Sequence, residues 1–257
     1  MAIEAPVTSS LQVAQLQQQL DAARPGAVIH LPAGTMRGCL VIDKPLTLRG
    51  AGAEHTVLDG WGRGPVLCIE ASEGDVRIEE LTISGGRGSM GGGVSVDNGA
   101  RVHLSGCMLH KNAARTGRGG AVAVDRGFVR LHECTVVDNR AQLGGAIFVG
   151  GDGKVELSAS ILADNVAVRG GALAAVDDAE LEVWTSRLER NYAEVEGHHL
   201  YTYGSLSHAP RIAVTNTMLG AVDNAGLAIA NHRTMKASIV LEDSSVARDL
   251  LPTHLVG

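Results

Sequence analysis

The sequence contains very few aromatic residues. Two Phe, two Trp and three Tyr make up 3% of the 257 residues, although hydrophobic residues as a whole make up 45%. A core built around large rings is therefore excluded, and the interior must consist mainly of Val, Leu, Ile and Ala. Small aliphatic side chains of this kind suit a narrow, layered core better than a bulky one.

The sequence also lacks a long apolar run and a concentrated block of basic charge. No window approaches the roughly 18 apolar residues of a membrane span. The first ten residues, MAIEAPVTSS, have neither the basic nor the apolar region of a secretion signal. The 28 acidic and 22 basic residues are dispersed and give a net charge of −6. We therefore expect a cytoplasmic protein with no nucleic-acid or membrane partner.

Cysteine pairs with metal-binding spacing are absent as well. The four cysteines, Cys39, Cys68, Cys107 and Cys134, form no CxxC motif. Cys107 and Cys134 are one sequence repeat apart, which predicts two buried thiols stacked in neighbouring layers, with a disulfide as the alternative. No cofactor is expected from the sequence.

An internal repeat dominates the chain. Asparagine recurs at 112, 139, 165 and 191, and most copies carry a Gly-Gly-Ala triplet followed by an aliphatic residue. Three short alternating runs per copy, such as VHL at 102–104, are typical of strands and leave no room for a helix. These features predict an all-β, single right-handed parallel β-helix of about eight coils, in which Asn side chains bond from coil to coil.

One domain is expected over 1–257, with an N-terminal cap at 1–26, coils at 27–246 and a C-terminal tail or cap at 247–257. An open end of such a rod exposes unpaired strands. Residues 9–23 predict an amphipathic capping helix, because Ser9 and Gln12 have capping-box spacing and Pro25-Gly26 ends the helical pattern.

Two stretches resemble known β-helix proteins. The segment LQQQLDAARPGAVIHLPAGTMRGCLVIDKPLTLRGAG resembles the first turns of pectin-lyase-like right-handed β-helix proteins. The pairing of GGA[VIL] with [LV]xxN, in LHKN, VVDN, LADN and LERN, is similar to the repeat of polymorphic outer-membrane adhesins and other bacterial β-helix proteins. The resemblance implies the fold over nearly the whole chain. An adhesin function is not implied, since that repeat has Phe where this chain has Leu109, Val136, Leu162 and Leu188.

Recognisable catalytic motifs are absent. Enzymes of the pectin-lyase-like fold act on polysaccharides, but the chain has no pectate-lyase carboxylate set and none of the NTD, DD, GHG and RIK motifs that the polygalacturonases carry together. Asp177-Asp178 is the nearest approach to the DD pair, and it lies at an expected turn. The sequence therefore favours a protein that is not an enzyme. Asp97, Asp125 and Asp177 form an approximate acidic column, which is either a weak Ca²⁺ site or a set of turn residues.

One copy departs from the repeat. In NYAEVEGHHLYTY, at 191–203, the Gly-Gly-Ala triplet is replaced by Gly197-His198-His199, and Tyr201 and Tyr203 follow. Strand alternation predicts that the aliphatic series containing Val122 and Leu173 points inward. The outward columns are then small, uncharged or aromatic, and an exposed apolar sheet of this kind is typical of a contact surface.

Three interpretations of this face remain open. The first is a non-catalytic scaffold that binds a protein partner or a second copy of itself through contact residues on and near this face. These residues are Phe148, Trp184, His198, His199, Tyr201 and Tyr203. The alternative is a polysaccharide-binding or polysaccharide-cleaving protein that uses the patch of His198, His199, Tyr201 and Tyr203. Its candidate catalytic residues are His199, Tyr201 and His208. In the third, the 203–210 loop or the C-terminal tail covers the sheet.

Overall fold

The chain forms a parallel β-solenoid of about seven turns with one short N-terminal helix. A computed structural model describes residues 10–204, 208–220, 228–231 and 238–246. The predicted all-β parallel β-helix and its capping helix are confirmed, and the winding is consistent with a right-handed helix. No helix within the described ranges is long and apolar enough to cross a membrane.

Within the described residues, two long sheets, A and B, hold nine strands each. Sheet A contains β1 (Val28–His30), β4 (Leu46–Arg49), β7 (Asp75–Glu79), β10 (Arg101–Ser105), β14 (Phe128–His132), β18 (Lys154–Ser158), β22 (Glu180–Trp184), β26 (Arg211–Thr215) and β29 (Ser238–Glu242). Sheet B contains β2 (Gly34–Arg37), β5 (Thr56–Asp59), β8 (Thr82–Ser84), β11 (Met108–His110), β15 (Thr135–Val137), β19 (Ile161–Ala163), β23 (Arg187–Glu189), β27 (Met218–Leu219) and β30 (Ser245–Val246).

The remaining strands form sheets C and D. Sheet C has eight strands: β3 (Leu40–Ile42), β6 (Leu67–Ile69), β9 (Val94–Val96), β13 (Val122–Asp125), β17 (Ile147–Gly150), β21 (Leu173–Val176), β25 (Leu200–Tyr203) and β28 (Ile229–Asn231). Sheet D has four: β12 (Ala113–Arg118), β16 (Arg140–Leu143), β20 (Val166–Arg169) and β24 (Tyr192–Glu196). The central coils therefore run A, B, D, C.

The core is a single apolar column that runs the length of the rod. Every second residue of each strand points inward, and equivalent residues of successive coils stack, as Val102, Val129 and Val155 do in sheet A. Val122 is fully buried and Leu173 is 2% exposed, so the predicted inward series is confirmed. β-Branched and leucine side chains stack well in this way because each occupies one layer.

A column of asparagines bonds neighbouring coils together between sheets B and D. The Asn165 Oδ1 atom accepts hydrogen bonds from both the backbone N–H and the Nδ2 of Asn139, each at 3.0 Å. The Asn165 Nδ2 atom donates to the Val136 carbonyl at 2.9 Å and to the Asn191 Oδ1 at 3.0 Å. The same pattern begins at Asn112. The predicted coil-to-coil bonding of these side chains is confirmed.

Two buried cysteines also occupy neighbouring coils. Cys107 and Cys134 are 2% and 1% exposed, and both are free thiols. They immediately precede the paired strands β11 and β15, so they are stacked as predicted. A hydrogen bond between the two thiols raises the pKa of Cys107 well above its ordinary value. Both side chains fill the core.

Helix α1 (Ser10–Ala22) closes the first coil. Val13, Leu16 and Leu20 are buried on its inner face, and the helix contacts β2 and β3. The Gln17 side chain pairs with the backbone of Val41: its Oε1 accepts from the Val41 N–H and its Nε2 donates to the Val41 carbonyl, both at 2.9 Å. The Gln17 amide thus gives the backbone N–H and carbonyl of Val41, on the edge strand β3, the hydrogen-bond partners that a neighbouring strand would supply.

Two details differ from the sequence-based prediction. The central coils have four strands rather than three, because the segment between each Asn and the following Gly-Gly pair forms sheet D. Its inward residues are alanines, such as Ala114 and Ala141, which are poor strand formers. In the last coil Leu200 pairs with Ile229 rather than with Leu227. Leu227 and the predicted tail at 247–257 lie outside the described residues.

Candidate functional site

The turn between sheets D and C directs one side chain of each central coil back over sheet C. These residues stack as a column, here called the turn column: Met90, Arg118, Leu143, Arg169 and Glu196. Each precedes a glycine in the left-handed region, such as Gly170 with φ +66°. A Cβ on Gly170 would lie 2.3 Å from the Leu173 carbonyl oxygen, so the sharp reversal requires glycine.

The turn column borders the outer face of sheet C, and Met90 and Leu143 pack against that face. The outer face contains a second apolar cluster, made up of Ala123, Phe148, Ala174, Val176, Tyr201 and Ala230. Phe148 is fully buried and Tyr201 is only 5% exposed. The prediction of a flat, exposed outer sheet is therefore wrong. Strand alternation identified the correct side of the sheet, but it carries no information about which residues cover that side.

Two arginines of the turn column lie over the aromatic residues of this cluster. The Arg118 guanidinium is 5.0 Å from the centre of the Phe148 ring, and the Arg169 guanidinium is 5.9 Å from the centre of the Tyr201 ring. Arg169 also pairs with Glu196, whose Oε1 lies 3.2 Å from the Arg169 Nε. Burial, and then the charge of Glu196, raises the pKa of the Tyr201 phenol. The aromatic rings hold both cations at the surface.

A groove of about 270 Å³ lies between these side chains. We call it the arginine–tyrosine groove; its lining residues are Arg118, Leu143, Arg169, Val176, Asp177, Tyr201 and Tyr203. Tyr203 is 40% exposed and presents its ring at the groove wall. Arg118 has no carboxylate partner within the described part of the chain. The groove thus offers a cation, an exposed ring and a carboxylate to a ligand.

His199 completes the asparagine column and does not contribute to a surface patch. It is fully buried, and its Nε2 donates to the Gly220 carbonyl at 2.8 Å. Its Nδ1 accepts from the Nδ2 of Asn191 at 3.4 Å, so His199 takes the place of a further asparagine. Burial lowers the pKa of His199, which favours this neutral form.

His198 satisfies the edge of sheet D. It is 5% exposed, and its Nδ1 accepts a hydrogen bond of 3.0 Å from the backbone N–H of Ala193. Ala193 belongs to β24, which is the edge strand of sheet D within the residues that the structure describes. Burial lowers the pKa of His198 as well. His199 therefore follows the last asparagine of the column, and His198 bonds to the edge strand of sheet D. The interpretation that the two histidines form an exposed contact patch is wrong.

Two other predicted site residues, Trp184 and His208, do not line the arginine–tyrosine groove. Trp184 is on sheet A, paired with Ser158 and Thr215. His208 forms an ion pair with Asp178, the residue after the groove residue Asp177. The hydrogen bond that His208 donates to the Asp178 carboxylate raises the pKa of His208, so the imidazole keeps its proton to higher pH.

The acidic residues proposed as a weak metal site do not form one column. Asp97 and Asp125 follow the paired residues Val96 and Val124, whereas Asp177 lies one position further along its strand. The Asp97 Oδ1 accepts from the Asn98 N–H at 2.7 Å and lies 3.5 Å from Arg126. Among the described residues, no group of three or more His, Cys, Asp or Glu side chains is arranged to hold a metal ion.

The sequence-based search for a site missed Arg118 and Arg169. Both occur in an Arg-Gly-Gly triplet, at 118–120 and 169–171, at the same position of the repeat. The recurrence of this triplet is the feature of the sequence that could have identified the two arginines. Its meaning depends on the turn geometry, which brings the residue before the glycines over the neighbouring sheet.

Comparison with known proteins supports the fold and gives no family. No family model matches the chain, and no curated protein matches it. Among solved structures, a pectin methylesterase in complex with a hexasaccharide has a TM-score of 0.55 at 12% identity, covering 92% of this chain and 87% of that one. An alginate lyase from Paenibacillus sp. (TM-score 0.49, 15% identity) covers 90% of this chain and 92% of its own. The A-module of the mannuronan C-5 epimerase AlgE4 from Azotobacter vinelandii (0.35, 12%) covers 90% of each chain.

These observations correct the expected function. A non-catalytic scaffold that binds a protein or a second copy through an exposed outer sheet C was the first interpretation. That face is covered by the chain's own residues, and Phe148, the expected anchor, is buried. The scaffold interpretation is therefore wrong. At this level of identity the comparison establishes the parallel β-helix fold alone.

Proposed function

We propose that the protein binds an anionic polysaccharide of the uronate class in the arginine–tyrosine groove. The observation that carries the proposal is the pair of arginines, Arg118 and Arg169, held over buried aromatic rings beside the exposed ring of Tyr203. Charged and aromatic groups that converge on one groove are typical of a ligand site.

The charge arrangement favours a ligand with repeated carboxylates. Arg118 and Arg169 lie in coils separated by one intervening coil, which carries Leu143. Their backbones are therefore about 10 Å apart along the rod, since adjacent parallel strands are about 4.8 Å apart. A guanidinium binds a carboxylate through two parallel hydrogen bonds. A polymer with an acidic group on each sugar can reach both arginines at once.

The remaining groups of the groove suit a sugar. Tyr203 offers a half-exposed ring on which a pyranose can stack, while Asp177 can accept hydrogen bonds from hydroxyl groups. The pectin methylesterase that this fold resembles was crystallised with a hexasaccharide, which supports a carbohydrate rather than a protein as the ligand class.

Calorimetric titration of the whole protein with trigalacturonate and with a neutral galactose trimer tests this function. We expect the acidic trimer to bind and the neutral one to bind at least tenfold more weakly, because a charge-assisted hydrogen bond contributes about 1.5–3 kcal/mol. Arg118→Gln and Arg169→Gln should each weaken binding of the acidic trimer by roughly tenfold.

Arg63→Gln is the matched control. Arg63 also lies over an aromatic ring, 4.6 Å from the centre of Trp61, and has no carboxylate partner in the described ranges, but it is outside the groove. Its loss should leave the affinity unchanged. Equal binding of acidic and neutral trimers, or wild-type affinity in both groove variants, would overturn the proposal.

Cleavage of the bound polymer is a second candidate, favoured by the His208–Asp178 ion pair. Asp178 directly follows the groove residue Asp177, and it raises the pKa of His208, so that the imidazole keeps its proton to higher pH than an isolated histidine does. Such a group can donate a proton to a leaving oxygen. Incubation with polygalacturonate and with alginate, followed by measurement of new chain ends, tests it. His208→Gln should abolish turnover while binding persists, and a wild type without turnover is a binding protein.

A further inference from the structure

Cations without a carboxylate partner are concentrated on one part of the surface. Most Lys and Arg side chains of the described residues take part in ion pairs, as Arg130 does with Glu156 and Lys154 does with Glu182. Four that do not, Arg87, Lys111, Arg115 and Arg140, line a single groove. Lys111 and Arg115 are close in the sequence, whereas Arg87 lies about one repeat before them and Arg140 about one repeat after them, so the winding of the chain brings the four together.

This cationic groove has a volume of about 370 Å³ and lies where sheet B turns into sheet D. Its other lining residues are Asn112, Ala113, Asp138 and Asp164. Asp164 is already neutralised by Arg190, which binds its two carboxylate oxygens at 2.9 and 2.8 Å. Asp138 is the single carboxylate left to balance four cations.

Such an excess of positive charge is not forced by the composition. The whole chain is acidic, with a net charge of −6, and it pairs charges efficiently on sheet A. Like charges in one groove repel each other and raise the local concentration of anions. An anionic ligand removes that repulsion, so the arrangement fits a ligand site better than a solvated surface.

Sheet D connects the cationic groove to the arginine–tyrosine groove. Strand β12 carries Arg115 at the first groove and Arg118, three residues later, at the second. The distance along the strand is about 10 Å. Tyr192, 38% exposed, occupies the same column of sheet D as Arg140. The outer side of sheet D thus carries the exposed side chains of Arg115 and Arg140 and the exposed ring of Tyr192.

We infer that the cationic groove is a second subsite for the charged groups of an anionic polysaccharide, and that one chain crosses sheet D to fill both grooves. The inference extends the proposed function and rests on it for the path of the chain. The double variant Arg115→Gln/Arg140→Gln tests the subsite in the full-length protein, and Arg24→Gln/Arg63→Gln is the control. Both control arginines lack a carboxylate partner in the described ranges and lie outside both grooves.

The probes are trigalacturonate, a long oligogalacturonate, dextran sulfate and single-stranded DNA, each titrated at low and at moderate salt. The Arg115→Gln/Arg140→Gln variant should bind the long oligomer at least tenfold more weakly than wild type and with a smaller salt dependence. Its affinity for the trimer, which fills the arginine–tyrosine groove alone, should not change. The control variant should behave as wild type with every probe.

The outcomes separate the second subsite from the proposed function. Wild-type affinity of the Arg115→Gln/Arg140→Gln variant for the long oligomer and for dextran sulfate overturns the subsite. A different result is that wild type binds dextran sulfate but not the trimer, and that the Arg115→Gln/Arg140→Gln variant no longer binds dextran sulfate. This result supports the subsite and contradicts the proposed function. Tighter binding of single-stranded DNA than of either long saccharide at equal salt overturns the assignment of a saccharide ligand.

Discussion

His199 is a buried titratable side chain whose two ring nitrogens both have fixed partners. Nε2 must carry the proton, because the Gly220 carbonyl can only accept, and Nδ1 must be free to accept from Asn191. Protonation at Nδ1 would remove this acceptor and place a charge in an apolar interior. The native state therefore holds His199 neutral.

This constraint predicts a pH dependence of stability. Burial lowers the pKa of His199 in the folded protein, so below the unfolded value of about 6.5 the unfolded chain binds a proton that the folded chain does not. The free energy of unfolding is therefore highest above pH 6.5 and should fall as the pH drops from 6.5 towards the folded pKa. Urea unfolding of wild type and His199→Gln across that range measures it, and the variant should show the smaller loss.

His208→Gln is the control for this measurement, since the sign is opposite. Asp178 raises the pKa of His208 in the folded protein, so its contribution is present at low pH and is lost as the pH rises through the folded pKa. Removing His208 should therefore leave the acid-side loss intact. An identical pH profile for wild type and His199→Gln would contradict the assigned hydrogen bonds.

At the scale of an element, the asparagine column is the clearest device that joins coil to coil. The Asn165 side chain accepts a hydrogen bond from the Asn139 N–H and donates one to the Val136 carbonyl, and both of these backbone groups are in the interior. Alanine at this position would leave these buried groups unsatisfied. We expect Asn165→Ala to lower the free energy of unfolding by about 3 kcal/mol, since each orphaned group costs about 1–3 kcal/mol.

Gln142→Ala provides the comparison for Asn165→Ala. Gln142 is exposed on β16, in the coil next to that of Asn165, and its removal should change stability by less than about 0.5 kcal/mol. Urea unfolding monitored by circular dichroism measures both. Equal stability of the two variants would mean that the asparagine column contributes little.

Sheets A, B and C could be predicted from the sequence because their inward residues alternate and recur at one period. The Asn column could be predicted for the same reason. Sheet D could not, since its inward positions are alanines such as Ala114 and its strands lie between stronger signals. A repeat period identifies equivalent residues in successive coils, but it does not reveal weak strands.

The candidate site was less accessible to prediction. Tyr201 and Tyr203 were found because they interrupt a run of small residues, whereas the burial of His199 depends on Gly220, which is 21 residues away in the chain. The role of Arg169 depends on the direction of the turn at Gly170. Contacts between coils and between sheets are three-dimensional facts that local periodicity does not contain.

At the scale of the whole molecule, the single continuous core makes each coil depend on its neighbours. Leu173 is 2% exposed and belongs to the cluster that extends from Val13 to Ile229. Leu173→Asp would bury an unpaired charge there, and we expect a loss of more than about 4 kcal/mol of stability. Because a repeat contacts only the adjacent repeats, hydrogen exchange should increase first in the neighbouring coils and then along the rod.

Ile161→Asp is the matched substitution. Ile161 lies on sheet B in the same coil as Leu173 and is 39% exposed, so a carboxylate there remains hydrated. Urea unfolding should show a change within about 1 kcal/mol. If both aspartate variants unfold at the same urea concentration as wild type, the assignment of Leu173 to the core is incorrect.

The side chains of Gln17 and His198 have a consequence for how a rod of this kind can change its length during evolution. Each satisfies a strand edge that would otherwise accept another strand, so neither place favours growth by addition. Tandem duplication of one 26-residue coil between these two places leaves both sets of hydrogen bonds intact. A duplication between Arg118 and Arg169 would move the two guanidiniums apart by one strand spacing, about 4.8 Å. Selection for a ligand with fixed charge spacing would then act directly on coil number.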